Sequence, residues 1–235
     1  MRLGIAGAGI IVRGLFSFIH EIEGIELEAI ASTEKSIEKV KQMAKENHVK
    51  KAYLNYDELL NDEDIEVMYI ATPNHLHYQM CKQALEKGKH VICEKPFTSR
   101  IEELEELSQL SKEKHLFLFE AISTQYLPNV LKIKEKLNEL GNIKIVTANY
   151  SQYSSRYNAF KEGTILPAFD YHKAGGALMD LNVYNIHALI DLFGKPVYHK
   201  YMANIEKNID TSGIMILILI ILKLYVLAQK IVKHL

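Results

Sequence analysis

Across residues 1–121 short apolar runs alternate with helical patterns, and few folds accept that alternation. Strands are expected at residues 3–6, 25–31, 67–71, 89–93 and 116–119, with one more short strand before a helical stretch at 56–60. Helices are expected at residues 10–21, 34–47, 77–87 and 101–114. Strands joined through helices run parallel, because each crossover returns the chain to the edge it left. The expectation for residues 1–121 is therefore α/β, a Rossmann-type doubly wound parallel sheet.

In such a sheet, ligands gather where the strands end. The first strand ends in Gly7-Ala8-Gly9, followed by Ile10, Ile11 and Val12. This is a variant of the dinucleotide fingerprint. The first glycine permits a tight turn, and the second lets backbone approach a pyrophosphate. Val12 departs from the small residue usual at the third position. The second strand ends in Ser32-Thr33-Glu34-Lys35, with no acid at its tip to take a ribose hydroxyl. Ser32, Thr33 and Lys35 suit a 2′-phosphate, which leans toward NADP; capping of the next helix is the competing role. The fourth strand ends in Ala71-Thr72-Pro73-Asn74, where Thr72 and Asn74 can touch cofactor and Pro73 fixes the turn. His75 and His77 follow as candidate ligands or acids, with helix capping or a surface position the favoured role. The fifth ends in Cys93-Glu94-Lys95-Pro96, and lysine serves as an acid or base where its surroundings lower its pKa.

The bulk numbers exclude other classes. A net charge of −1 argues against nucleic acid as a partner. Ten histidines are scattered without zinc spacing, so no metal is expected. Two cysteines, Cys81 and Cys93, make no disulfide framework, which favours a reducing cytoplasm. The N-terminal apolar run is too short for a signal peptide. The apolar run 214–222 is too short for a membrane span, which takes roughly 20 residues.

Gly7-Ala8-Gly9, Ala71-Thr72-Pro73-Asn74, Cys93-Glu94-Lys95-Pro96 and Phe119-Glu120-Ala121, in that order, resemble the glucose–fructose oxidoreductase / inositol dehydrogenase family (Gfo/Idh/MocA). A second signature of that family is matched by Gly175-Gly176-Ala177-Leu178-Met179-Asp180-Leu181-Asn182-Val183-Tyr184. Tyr184 in place of histidine is similar to the dihydrodiol-dehydrogenase-like branch. Asn182 stands where glycine is usual.

The resemblance implies NAD- or NADP-dependent oxidation or reduction of a sugar, polyol or diol. It also implies a homodimer, and a second domain over residues 122–235, α+β with an open, mainly antiparallel sheet. Lys95 inherits a place beside nicotinamide and substrate, with Pro96 often following a cis bond. Tyr184 would carry the hydroxyl proton, its pKa lowered by Lys95, and Asp180 would orient substrate or Lys95. At four residues apart, Asp180 and Tyr184 would share a helix face.

The rest of the second half is expected as a helix at 127–140, a long strand at 143–153 and a loop at 154–171. That loop, with Arg156, Phe160, Pro167 and Phe169, would line a substrate cleft. His187 reads as structural or surface. A strand is expected at 209–217. Beyond about residue 218 the pattern stops, and the tail reads as aberrant, with the sheet incomplete and the chain truncated. On that reading the protein is a catalytically impaired remnant or a non-catalytic NAD(P)-binding protein.

Overall fold

The computed structural model describes residues 1–219 and 223–230. The chain divides into two compact units, Met1–Ala121 and Ile122–Leu235. The first contains β1 (Arg2–Ala6), α1 (Ile10–Phe16), β2 (Glu26–Ala31), α2 (Ile37–Glu46), β3 (Lys51–Tyr53), α3 (Tyr56–Leu60), β4 (Val67–Ile70), α4 (His77–Glu86), β5 (His90–Glu94), α5 (Ile101–Glu113) and β6 (Leu118–Ala121). Its six strands pair in the order β3-β2-β1-β4-β5-β6, and every pairing is parallel.

Alternation along each strand explains the double winding. In β1 and β4, Leu3, Ile5, Val67 and Tyr69 join one core with Val12, Ile30, Val40 and Met43. Ala6, Met68 and Ile70 join a second core with Cys81, Leu85, Val91, Cys93 and Leu107. Successive side chains leave a strand on opposite faces, so both faces need helical cover. Val12 is fully buried in the first core, which accommodates a branched residue where a small one was expected.

Two helices are shorter than their patterns predict. Residues 17–18 interrupt the first, and Ile19–Glu21 form a 3-10 turn. Glu34–Ser36 form another 3-10 turn ahead of α2. Neither Ser32 nor Thr33 caps α2; the Thr33 hydroxyl lies 3.1 Å from that of Ser36.

The second unit contains α6 (Pro128–Lys136), β7 (Ile145–Ser151), α7 (Tyr157–Lys161), α8 (Val183–Phe193), β8 (Tyr198–Glu206), β9 (Ile209–Ile218) and β10 (Lys223–Gln229). Its strands pair in the order β7-β10-β9-β8. The pairs β10–β9 and β9–β8 are antiparallel, and β10–β7 is parallel, so the sheet is mixed. One face packs against α8, with Leu189 over Met215, Leu217, Leu224 and Val226. Ile145, Tyr198, Met202 and Ile214 stay exposed.

The tail corrects the reading of a patternless segment. Residues 223–229 form β10, an inner strand between β7 and β9. Leu224, Val226 and Ala228 alternate into the core at 1%, 0% and 0% exposure. That period of two is present in the sequence, but the unbroken apolar run just before it hides the register. Residues 220–222 and 231–235, on which part of the tail reading falls, lie outside the described residues. The segment 154–171 is also corrected. It contains α7, and Phe160 and Phe169 are each 1% exposed in a core with Ile209 instead of lining a cleft.

At the edge where the strands of the first sheet begin, Lys51 reaches Glu28, Asp62 and Asp64 at 3.2, 3.0 and 2.7 Å. Lys50 reaches Glu26 and Glu28 at 2.9 and 2.8 Å. Hydrogen bonds from Lys51 hold Asp64 below the usual carboxylate range. Burial opposes the same effect at Asp62, but the Asp64 N–H and Lys51 outweigh it. Carboxylates lowered by folding stabilise the native state above their unfolded values, and that stabilisation disappears as pH falls through the folded ones. Thermal denaturation should therefore show the melting temperature falling below about pH 4. Lys51→Met should lower stability at pH 7 and flatten that acid dependence.

Candidate active site and family

Because all six strands of the first unit are parallel, their C-terminal ends share one edge. Register places the motif turns side by side there. Ala6 pairs with Ala31 on one side and Ile70 on the other, and Ile70 pairs with Cys93. Gly7, Ser32, Ala71 and Glu94 each follow one of these residues.

Gly7 has φ +124°, a conformation that suits glycine. A Cβ there would lie 2.3 Å from the Ala71 carbonyl oxygen. The Gly7 N–H donates to Ala31 O at 2.8 Å, and the Ala71 N–H donates to Ala6 O at 2.9 Å. Ala8 is buried beneath the turn, while Gly9, Ile10 and Ile11 are exposed. Nothing lies within 4 Å of the position a Cβ on Gly9 would take, so the turn is open where a pyrophosphate would approach. The residues present fit a dinucleotide.

Lys39, which sequence reasoning missed, adds a cation to this turn. From α2 its amine donates to Ala8 O at 2.9 Å. Its signal was only a lysine one helical turn beyond Lys35. Lys35 and Thr33 are exposed, and Ser32 is half-buried.

At the β4 and β5 ends, His77 is corrected from a candidate cofactor ligand or acid to a buried tie. It is 0% exposed. Its Nδ1 lies 2.9 Å from Pro96 O, and its Nε2 lies 2.9 Å from Thr72 O. The ring thus links the Thr72-Pro73-Asn74 turn to the Glu94-Lys95-Pro96 turn. Neither helix-capping nor an open ligand role describes it. His75 and Pro73 are exposed, and Ala71, Thr72 and Asn74 are half-buried.

Glu94 is turned toward the sheet, its Oε1 accepting from the Tyr69 hydroxyl at 2.6 Å. Lys95 is half-buried, and the Lys95–Pro96 peptide is cis. The Phe97 N–H donates to Glu120 Oε1 at 3.1 Å, which holds the turn from β6. Burial, then contact with Cys81, pushes the Cys93 thiol well above its usual range, so it is no nucleophile.

In the second unit, the two signature glycines are required by close approach. A Cβ on Gly175 would lie 2.6 Å from Pro167 O. Gly176 has φ +107°, and a Cβ there would collide with the Asp210 carboxylate. Asp210 Oδ2 accepts from Leu178 N–H at 2.7 Å and from the Tyr201 hydroxyl at 2.8 Å. Burial, then this bond, raises the Tyr201 pKa.

Leu178–Asn182 then form a π-helical turn leading into α8. This changes the expected helix geometry, because a π turn widens the spacing on which the shared face of Asp180 and Tyr184 depends. Asn182 is fully buried, with its Oδ1 accepting from Asn185 at 3.1 Å. Tyr184 stacks on Tyr150, ring centroids 4.9 Å apart. Asp180 pairs with Lys230 at 2.9 Å. His187 is half-buried, with Nδ1 3.4 Å from the Gln125 amide.

Residues 1–122 match the family model described as an oxidoreductase family with an NAD-binding Rossmann fold, GFO_IDH_MocA. The chain belongs to the Gfo/Idh/MocA oxidoreductase family. Over 220 residues it is 36% identical to scyllo-inositol 2-dehydrogenase (NADP(+)) of Bacillus subtilis, covering 92% of this chain and 66% of that protein. Over 196 residues it is 30% identical to trans-1,2-dihydrobenzene-1,2-diol dehydrogenase of Bos taurus, covering 83% of this chain and 56% of that protein. The chain thus spans less than two thirds of the length of these relatives. A levoglucosan dehydrogenase solved with NADH and levoglucosan superposes with TM-score 0.87 at 21% identity, over 100% of this chain and 68% of that one, and shows the shared fold.

Among the described residues no helix is long and apolar enough to cross a membrane, and no cluster of His, Cys, Asp or Glu is suited to a metal.

Two substitutions test this Gfo/Idh/MocA edge. Gly7→Ala should cost about 2 kcal/mol or more in urea unfolding, from clash and positive φ together. His77→Phe should cost about 1–3 kcal/mol, since the imidazole N–H can donate to one of the two facing carbonyls and phenylalanine to neither.

Proposed function

We propose that this protein is an NAD(P)-dependent dehydrogenase of a sugar, polyol or diol. The observation that carries the reading is the parallel-sheet edge on which the open Gly7–Gly9 turn, the Thr72–Asn74 turn and the Glu94-Lys95-Pro96 turn lie in adjacent register. A bound nicotinamide supplies or accepts the hydride. The Gly7, Ala8 and Gly9 backbone, with Ile10 and Ile11, receives the pyrophosphate. Ala71, Thr72, Pro73 and Asn74 form the neighbouring wall, and Glu94 and Pro96 fix the backbone on either side of Lys95. Lys95 places positive charge against the oxygen that becomes alkoxide as hydride leaves carbon. From the family signature that they match, Tyr184 is assigned the hydroxyl proton and Asp180 a hydrogen bond from the substrate.

NADP is the preferred form in this reading. The tip of β2 offers Ser32 and Thr33 hydroxyls and no carboxylate. Lys39 and Lys35 bring positive charge to the same region, and the Lys39 amine is fastened at the glycine turn by Ala8 O. A 2′-phosphate gains from that charge, whereas a bare ribose hydroxyl gains little.

We further propose a homodimer. The second sheet leaves Ile145, Tyr198, Met202 and Ile214 exposed on one face, the kind of apolar surface that a second copy covers.

Lys95→Met should reduce turnover of a polyol and diol panel by about a hundredfold or more, with the fluorescence-measured NADPH affinity nearly unchanged. Full activity in that variant overturns the role of Lys95. Cofactor binding without turnover by the parent chain would favour a non-catalytic NAD(P)-binding protein. Lys39→Met should weaken NADPH binding about tenfold or more while leaving NADH binding within about twofold. An equal loss for both would make Lys39 a loop clamp instead.

A further inference from the structure

Lys230 is a buried charge that the proposed chemistry does not use. It follows directly on β10, and its side chain is 1% exposed. Its amine pairs with Asp180 Oδ2 at 2.9 Å, donates to Ala168 O at 2.8 Å and lies 4.9 Å from the centre of the Phe169 ring. The backbone on both sides is fastened. Lys230 N–H donates to Thr211 O at 2.9 Å, and Lys230 O accepts from Ser154 N–H at 2.9 Å. A lysine held this firmly has little freedom to leave its partner. Withdrawing it would leave a cation in the core without a counter-charge, which is strongly unfavourable.

Asp180 differs from Lys230 in access. Its side chain is 34% exposed, so a ligand can reach a carboxylate whose charge is fixed from behind. The elements packed on the π turn supply the other ionisable groups. These are Asp210 of β9, which accepts from Leu178 N–H, Tyr201 of β8, which donates to Asp210, and the stacked Tyr150 of β7 and Tyr184 of α8. The Asp210 carboxylate, bonded to the Leu178 N–H of this turn, disfavours the charge on Asp180, and the three phenols do not offset it. The Lys230 cation does.

We infer that Lys230 is a positioning residue that fixes Asp180 as an ionised, immobile hydrogen-bond acceptor for a substrate hydroxyl, so that β10 is a working part of the substrate-side machinery. The substrate half of this inference rests on the dehydrogenase reading; the state of Asp180 does not. An ionised Asp180 accepts from a hydroxyl but cannot donate a proton to a carbonyl. That leaves proton transfer to Tyr184 and gives the two signature residues separate tasks.

The test uses the whole chain and four variants, Lys230→Met, Lys230→Gln, Lys230→Arg and Asp180→Asn. Lys230→Gln retains an amide donor for Ala168 O without charge, and it serves if Lys230→Met does not fold. Side-chain carboxyl carbon NMR follows Asp180, whose signal is identified by its loss in Asp180→Asn. In the parent chain and in Lys230→Arg, Asp180 should be ionised throughout the range from about pH 5 to 8. In the neutral variants it should titrate about one pH unit or more higher. With a polyol substrate, the neutral variants should raise KM about tenfold, change kcat less and leave the NADPH affinity unchanged. Asp180→Asn combined with Lys230→Gln should be no worse than Asp180→Asn alone.

An Asp180 titration identical in the parent chain and the neutral variants overturns the inference. So does a loss that Lys230→Arg fails to restore. Absence of turnover in the parent chain overturns the dehydrogenase reading instead, and the NMR titration still decides the role of Lys230.

Discussion

Much of the first unit depends on one close approach. The Ala71 carbonyl passes within 2.3 Å of where a Cβ on residue 7 would stand. Only glycine admits that contact, and Gly7 adopts the positive φ that comes with it. The contact brings the ends of β1 and β4 together, on either side of the point where the strand order reverses. Open parallel sheets bind ligands at such points. The glycine turn is thus a packing requirement first and a phosphate-binding feature second.

The second unit repeats the principle with different parts. Gly175 and Gly176 admit Pro167 O and the Asp210 carboxylate at distances no side chain would allow. Asp210 then fixes the start of the π turn through Leu178 N–H. Beyond it Asp180 meets Lys230, and Tyr184 meets Tyr150. Backbone proximity, made possible by glycine, sets the side-chain positions in both units.

His77 and Lys230 show why charge or ring chemistry in a sequence is a poor guide to role. His77 stands close to a ligand-binding turn and looks like a ligand. Both its nitrogens face carbonyl oxygens at 2.9 Å, one for its single N–H to donate to, and the buried ring braces two turns. Lys230 stands in a tail whose period of two is hidden by the apolar run before it. It is buried against a signature carboxylate. In each case a deciding contact is long-range, 19 residues for His77 to Pro96 and 62 for Lys230 to Ala168, which no local pattern encodes.

The sequence by itself determined the α/β alternation, the parallel sheet and the glycine turns, because short-range periodicity and glycine placement report on backbone geometry directly; the family was legible only through the resemblance of its ordered motifs. Only the tertiary structure decided that β10 inserts between β7 and β9, that a π turn carries Asp180, that Phe160 and Phe169 are core, and that Lys39 reaches the glycine turn. Strand order and side-chain partnership are long-range outcomes. They depend on which apolar face finds cover and which buried charge finds its counterpart, and both are settled when the chain packs.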